Sequence, residues 1–193
     1  MPDSYIVEHC SPVLAGLKTG NMFTVRHENG GSNEEIRTMN QRLTRFGLRM
    51  IPLRNNGDSV LLYLYRPDRL SDDLKNPHAR RILEEKGYPV KHAEQCVACV
   101  SKHLKEDEGF PHEIGLFLSY PPEDVQGFME HPKYGVKCVG FWKVYGDEER
   151  AQRTFTSYRK CKDIYQKAIQ NGTALEQLIV TENKTRKEKE RDL

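Results

Sequence analysis

The chain has 193 residues and a formal net charge of +2, with 37% hydrophobic and 30% charged residues. These proportions are ordinary for a protein that buries one core, and the balanced charge provides no overall field that would draw the chain onto nucleic acid or a membrane. The start lacks a basic segment followed by an apolar run, and no stretch approaches about 18 uninterrupted apolar residues. We therefore expect a cytoplasmic protein with no membrane association.

Local signals in the first 65 residues predict helices, a strand and a hairpin. Ser11 and Pro12 are typical of a helix start, since Ser caps a first turn and Pro there gives up no hydrogen bond. Ser32 and Glu35 have the spacing of a capping box. The predicted elements are a helix at about 11–19, a strand at 21–26, a helix that ends at Arg45, and a β-hairpin with strands at 48–54 and 59–65.

The rest of the chain predicts mostly helices and two further strands. The segment 135–146 has apolar residues on both faces, which favours the centre of a sheet. The other predicted elements are helical turns around 67–86, a helix at 91–106, a strand at 113–119, a helix that starts at Pro121 and a long helix at about 147–170. The sequence thus predicts a single α+β domain over 1–180, with a mixed sheet of about five strands packed by helices, and a charged, disordered tail at 181–193.

Cys10 is the first candidate functional residue. It follows His9 and precedes the predicted helix start, where backbone N–H groups and the positive end of the helix dipole favour a thiolate. This position makes Cys10 a candidate catalytic thiol. The alternative is a small residue that packs, because free cysteine is among the most buried residue types.

Five cysteines in a chain of this size indicate free thiols or metal ligands rather than a disulfide framework. Cys138 lies on the predicted central strand, and Cys161 lies on the apolar stripe of the long helix, so the two could meet where sheet and helix pack. With Cys10 and His112 they form a candidate site for iron, zinc or an iron–sulfur centre. The alternative is that the cysteines pack and no cofactor is bound.

The predicted helix at 91–106 carries a second candidate metal site. His92, Cys96, Cys99 and His103 fall within about 60° of one another around the helix axis. Because they span roughly 16 Å along it, one ion could take only a neighbouring pair such as Cys96 and Cys99, and would need two ligands from elsewhere. The alternative is a helix edge on which cysteines pack and histidines reach solvent.

A basic run offers a weaker third function, the binding of phosphate or nucleic acid. No acid interrupts it between Ile36 and Gly57, although neighbouring acids offset its field and a solvated helix face is the usual explanation. Phosphate-loop, dinucleotide-binding and Ser-elbow motifs are missing from the sequence, which disfavours nucleotide and acyl-transfer enzymes. The run contains Arg37, Arg42, Arg45, Arg49 and Arg54.

Three segments, HCSPVLAGLKTGNMF, PHEIGLFLSYPPEDVQGF and KCVGFWKVYGDEE, resemble a family from clostridial anaerobes known only as a domain of unknown function. The resemblance covers the chain up to about Val180, and it implies no catalytic residue, cofactor or substrate. It does imply genes near flavodoxin or iron-related genes, which favours a redox protein as a partner. Two main functions stay open: a cysteine-based metal or redox site, and a non-catalytic interaction or accessory module in which the cysteines are structural.

Overall fold

The computed structural model describes residues 1–29, 31–106 and 110–181. Two compact units make up the chain: unit 1 contains residues 1–66 and the residues from Tyr158 onward, and unit 2 contains residues 67–157. Beyond Thr181, the predicted tail lies outside the described residues. Within the described ranges, no helix combines the length and the apolar character needed to cross a bilayer.

Unit 1 combines a three-stranded antiparallel sheet with helices. The strands lie in the order β1-β3-β2, and both pairings with β3 are antiparallel. Pro52 is tolerated because β2 is an edge strand. A residue there has a neighbouring strand on one side only, so a missing N–H need not remove a hydrogen bond of the sheet. The elements are α1 (Asp3–Leu14), β1 (Gly20–Arg26), α2 (Asn33–Thr44), β2 (Arg49–Asn55) and β3 (Ser59–Tyr65).

The core of unit 1 is an apolar cluster between its helices and its sheet. Residues of α1 and α2 pack with alternate residues of β3, and a 3-10 helix at Leu175–Leu178 adds to the same cluster. Alternation along β3 places one set of side chains on this face of the sheet. The strand members of the cluster are Phe23, Val25, Met50, Val60, Leu62 and Leu64.

The structure confirms the predicted strand, hairpin and capping box of unit 1. β2 and β3 form the predicted hairpin, and β1 is the predicted strand. Ser32 and Glu35 form a complete capping box at the start of α2. Gly47, with φ at 73°, follows the helix, as expected for a residue that accepts the left-handed conformation.

The predicted helix at about 11–19 is wrong. The helix is α1, which begins at Asp3 and ends at Leu14, so Pro12 lies near its end and the Ser11 hydroxyl donates to the Val7 carbonyl. Proline inside a helix removes one backbone hydrogen bond. Burial of an apolar stripe at helical spacing outweighs that loss, since Ile6, Cys10 and Val13 are fully buried.

Arg42, from the basic run, joins three segments of unit 1. Its guanidinium donates to both carboxylate oxygens of Asp3, at 2.7 and 2.8 Å, and to Oε1 of Glu176 at 2.7 Å. Because these contacts favour the charged carboxylate, they lower the pKa of Glu176. Arg42 is thus committed to two carboxylates of its own chain, whereas Arg37, Arg45 and Arg49 have exposed side chains.

We expect Arg42→Met to lower the free energy of unfolding by about 1 kcal/mol at neutral pH, because Asp3 and Glu176 lose their partner. A depressed carboxyl pKa stabilises the fold above the unfolded-state value and ceases to do so as the pH falls through the folded-state value. The difference between variant and wild type therefore shrinks in acid, as Glu176 becomes protonated in the folded protein. Urea unfolding at neutral and at acid pH measures it, with Arg37→Met as the exposed control, and an equal difference at both would contradict the expected role of Arg42.

Unit 2 is mainly helical. Its helices are α3 (Pro67–Asp73), α4 (Pro77–Glu85), α5 (Ala93–Glu106), a 3-10 helix at His112–Leu118 and α6 (Pro122–Glu130). Two short antiparallel strands follow, β4 (Cys138–Val139) and β5 (Lys143–Val144). The long helix α7 (Glu148–Gln170) begins in this unit and continues into residues of unit 1.

The structure confirms the α+β class but not one mixed sheet of about five strands, because the described residues form antiparallel sheets of three and two strands. The predicted strand at 113–119 is a 3-10 helix, five consecutive residues of which are buried. The predicted central strand at 135–146 contains only β4 and β5, with Val139 and Phe141 exposed. Gly140 lies so close to the Phe155 ring that any side chain there would clash, and this close approach accompanies a turn rather than a continuous strand.

Candidate functional site

Unit 2 contains a cavity of about 440 Å³, here called the aromatic cavity. In its wall, the rings of Tyr120 and Trp142 stack with centroids 4.9 Å apart. Small-molecule sites are typically concave and mostly apolar, with a few placed polar groups. The cavity is lined by Phe110, His112, Ile114, Gly115, Leu118, Tyr120, Asp124, Val125, Phe128, Trp142 and Lys143.

Asp124 holds this wall in place. Its carboxylate is 2% exposed and accepts hydrogen bonds from the Trp142 indole N–H and from the backbone N–H groups of Tyr145 and Gly146, each at 2.7 Å. Trp142 also meets Phe155 edge to face, with centroids 4.5 Å apart. The indole is therefore oriented by a buried hydrogen bond on one edge and by aromatic packing.

Two nitrogen-bearing side chains stand beside the Phe128 ring at the cavity. Lys143 Nζ lies 5.2 Å from the ring centroid and donates to the Pro132 carbonyl at 2.9 Å. The His112 ring meets Phe128 edge to face at 4.8 Å. An ammonium and an imidazole thus accompany otherwise apolar walls, and they are the polar groups that could orient a ligand.

A second concavity, the polar groove, adjoins the aromatic cavity and shares Phe110 and His112 with it. It has a volume of about 680 Å³, and charged groups of both signs line it. Phe110, which is 52% exposed, lines both concavities. The other groove residues are Arg81, Ile82, Glu85, Lys86, His103, Pro111, Glu113, Gln126, Met129 and Glu130.

Four side chains of unit 2 form a hydrogen-bond chain that reaches the polar groove. Cys99 Sγ lies 3.6 Å from Nε2 of His103, and Nδ1 of His103 lies 3.1 Å from the Tyr88 hydroxyl. The Tyr88 hydroxyl donates to Oε1 of Glu113 at 2.9 Å. Glu113 and Tyr88 are 5% and 4% exposed, so both lie inside unit 2.

The donor and acceptor roles in this hydrogen-bond chain follow from the protonated Tyr88 phenol. Burial, followed by the Glu113 carboxylate, raises the pKa of Tyr88, so the phenol keeps its proton and its O–H donates a hydrogen bond to Glu113. The Tyr88 oxygen is then left to accept from Nδ1–H of His103. This assigns the Nδ1–H tautomer, in which the unprotonated Nε2 faces the Cys99 thiol.

Cys10 is a fully buried residue of α1, not a residue ahead of a helix start. Burial raises the pKa of its thiol, and Lys18 offsets this only in part. The ring of neighbouring His9 stacks on Phe23, with centroids 5.4 Å apart. The environment therefore favours a packed, protonated thiol rather than the thiolate that a helix start would favour.

The other candidate ligands are distributed over both units. Cys161, with Cys10, belongs to unit 1, and burial raises its pKa to about 11. His112 and Cys138 belong to unit 2, where Cys138 is half-buried in β4. Cys96 is fully buried, its thiol donates to the Pro89 carbonyl at 3.5 Å, and burial raises its pKa to about 11. In the part of the chain that the structure describes, no three His, Cys, Asp or Glu side chains are grouped to hold a metal ion.

Sequence reasoning placed Cys99 and His103 on one helix edge, and the structure brings them together. It missed Tyr88 and Glu113. It also missed the lining of the aromatic cavity, apart from His112. The helical spacing of Cys99 and His103 was the available signal, because residues four apart on a helix face each other.

The fold and the cavity define an α+β protein whose mainly helical second unit carries a concave aromatic site. The chain belongs to the family described as "Protein of unknown function (DUF3793)", whose model matches residues 6–179. This confirms the predicted membership of a family of unknown function. Neither a search of the curated proteins nor a search of the solved structures found a match.

Proposed function

We propose that the protein is a binding module for a small, planar, largely apolar ligand with one acidic group, held in the aromatic cavity. The observation that carries the proposal is the cavity itself, about 440 Å³ lined mainly by aromatic and aliphatic side chains, with Lys143 among the lining residues. This volume lies in the range of roughly 300–1,000 Å³ typical of small-molecule sites.

The aromatic walls favour a flat ligand. Tyr120, Trp142 and Phe128 present ring faces and edges, and offset or edge-to-face contacts with a bound ring add to the free energy of burying its surface. Trp142 is held in place by Asp124 and Phe155 before any ligand enters. A wall that is already ordered loses little conformational entropy on binding.

Charge favours an acid over a base. Both oxygens of Asp124 already accept hydrogen bonds from N–H groups of the protein. Lys143 contributes a positive charge and already lies over the Phe128 ring, so a cationic ligand would compete with it for that ring. A ligand carboxylate near Lys143 gains an attractive partner, whereas a ligand ammonium there is repelled.

Three probes of matched shape test the proposal by calorimetry: 2-naphthoate, 2-naphthalenemethanol and 2-naphthylmethylammonium. We expect 2-naphthoate to bind about tenfold more tightly than the alcohol, equivalent to about 1.4 kcal/mol, and the ammonium to bind most weakly. Lys143→Gln should bring the affinity for the naphthoate down to that for the alcohol. Lys137→Gln removes the same charge from an exposed residue of unit 2 that does not line the cavity, and should change neither affinity.

A filled cavity provides the second arm of this experiment. Leu118→Phe places a ring into the aromatic cavity and is expected to lower the affinity for 2-naphthoate about tenfold, because ligand and side chain compete for one volume. Val139→Phe adds the same ring at a residue that is 69% exposed and outside the cavity. Equal naphthoate affinity in the two variants would contradict binding in the cavity, and equal affinity for acid and alcohol would contradict the acidic group.

A further inference from the structure

The hydrogen-bond chain of Cys99, His103, Tyr88 and Glu113 is independent of the aromatic cavity, because none of the four lines that cavity. A thiol, an imidazole within reach of it and a third group that orients the imidazole form the usual arrangement of an activated nucleophile. Cys99 is half-buried, unlike the fully buried Cys10 and Cys96, so part of it is open to solvent.

We propose that Cys99 is a nucleophilic thiol, that His103 is its general base, and that its substrate is a small carbon electrophile such as an α,β-unsaturated carbonyl compound. The Nδ1–H tautomer leaves Nε2 of His103 as an acceptor 3.6 Å from Sγ. When His103 takes the thiol proton, the new imidazolium charge lies beside Glu113, whose Oε1 is 3.7 Å from Nδ1. Tyr88 and Glu113 are thus positioning residues that also stabilise the charged imidazole.

The proposed step balances without an oxidant or a reductant. His103 Nε2 accepts the proton of the Cys99 thiol, and Sγ forms a bond to the β-carbon of the electrophile. The π electrons of the carbon–carbon double bond move to the α-carbon, which then receives the proton from His103. The product is a thioether at Cys99, and His103 returns to its neutral form.

The neighbouring thiol favours this chemistry over disulfide exchange. Cys96, one helical turn before Cys99, is fully buried and donates its thiol hydrogen to the Pro89 carbonyl. Resolution of a mixed disulfide within the protein needs a second, accessible thiol nearby, and Cys96 is too buried for that role. Addition to a carbon electrophile needs only one thiol.

Several groups act on the Cys99 thiol. Burial and the Glu113 carboxylate raise its pKa, and Lys102 lowers it. Cys96 and Tyr88 are the other titratable neighbours, and a negative charge on Cys99 would raise the pKa of each. Because the resting thiol stays protonated, it depends on His103 to remove the proton during attack.

N-Ethylmaleimide, an unsaturated carbonyl compound, is the probe for this proposal. The full-length protein is treated under native conditions near pH 7, and peptide mass spectrometry follows each cysteine with time. We expect Cys99 to react about tenfold faster than Cys138, which is half-buried in the same unit and serves as an internal control. His103→Gln should slow Cys99 about tenfold and leave Cys138 unchanged, and Glu113→Gln should slow Cys99 by a smaller factor.

The pH profile separates base catalysis from accessibility. In the wild type, the Cys99 rate should level off at a pH below that at which the thiol ionises, whereas in His103→Gln it should rise only with ionisation of the thiol at higher pH. Equal rates for Cys99 and Cys138, or a wild-type profile that follows thiol ionisation alone, would overturn the proposal. Both readouts use the wild-type protein, so they decide the matter even where a variant does not fold. They are also separate from naphthoate affinity, so each proposal can fail without the other.

Discussion

Replacing Asp124 with alanine is expected to lower the free energy of unfolding by about 3 kcal/mol or more. The carboxylate is 2% exposed and accepts from Trp142, Tyr145 and Gly146. Alanine leaves three N–H donors without their acceptor, and each buried donor that loses its partner costs about 1–3 kcal/mol. Chemical denaturation followed by Trp142 fluorescence measures the change, because Trp142 is the only tryptophan in the sequence.

Two further variants separate the hydrogen bonds from the charge. Asp124→Asn keeps the size of the side chain but turns an –NH₂ group towards one of the three donors, so it should also be destabilising. Glu123→Gln removes a charge from the exposed neighbouring residue and should stay within about 0.5 kcal/mol of the wild type. An Asp124→Ala protein as stable as Glu123→Gln would show that Asp124 does not hold the cavity wall.

Arg66→Ala is expected to lower the free energy of unfolding by about 4 kcal/mol, through unit 1. The Arg66 side chain is 3% exposed, and its guanidinium donates to the carbonyls of Val13, Leu14 and Val180 at 2.8–2.9 Å. Two of these carbonyls belong to the last turn of α1, where Val13 also accepts from the Gly16 N–H and Leu14 from the Val180 N–H. Hydrogen bonds from a charged donor contribute about 1.5–3 kcal/mol each, and the expected loss lies below the sum of three because these two carbonyls keep a backbone partner.

The controls for Arg66 test geometry as well as charge. Arg66→Lys keeps the charge, but a single ammonium does not match the planar fork of a guanidinium, so it should restore less than half of the lost stability. Arg37→Ala, at an exposed residue of α2, should change the stability by less than about 0.5 kcal/mol. If Arg66→Ala unfolded at the same urea concentration as Arg37→Ala, the hydrogen bonds of Arg66 would contribute no net stability.

Elements with strong local signals could be predicted from the sequence. The β2–β3 hairpin follows from two apolar runs around an Asn–Gly loop, and α2 follows from its capping box and from Gly47. These signals depend on the conformations of a few neighbouring residues, which tertiary packing seldom overrides.

α1 shows how one local signal can obscure another. Ser11–Pro12 is typical of a helix start, yet Ile6 and Cys10 already repeat at helical spacing ahead of it, and Val13 continues the same stripe. Pro12 is accepted because the helix buries this stripe, and the burial is worth more than one backbone hydrogen bond. Cys10 therefore lies buried inside a helix, where it lacks the electrostatic environment that would favour a thiolate at a helix start.

The candidate sites depend on contacts that could not be predicted from the sequence. The hydrogen-bond chain joins α5 to Tyr88 and to Glu113, which come from separate segments. The aromatic cavity likewise combines a 3-10 helix, α6 and β5, and the 113–119 segment alternates much as a short strand would. Such arrangements arise from packing between segments that are distant in the sequence. A hydrophobic period or a local motif could therefore indicate single residues of each site but not the whole site.

The indole N–H of Trp142 offers the most direct test of ligand binding in the aromatic cavity. A single tryptophan contributes a single indole cross-peak to a ¹H–¹⁵N spectrum, and that N–H donates to Asp124 in the cavity wall. On titration with 2-naphthoate, the cross-peak should shift until it saturates, with the affinity found by calorimetry, and Leu118→Phe should weaken the response. A cross-peak that stays in place at saturating 2-naphthoate would contradict binding in this cavity.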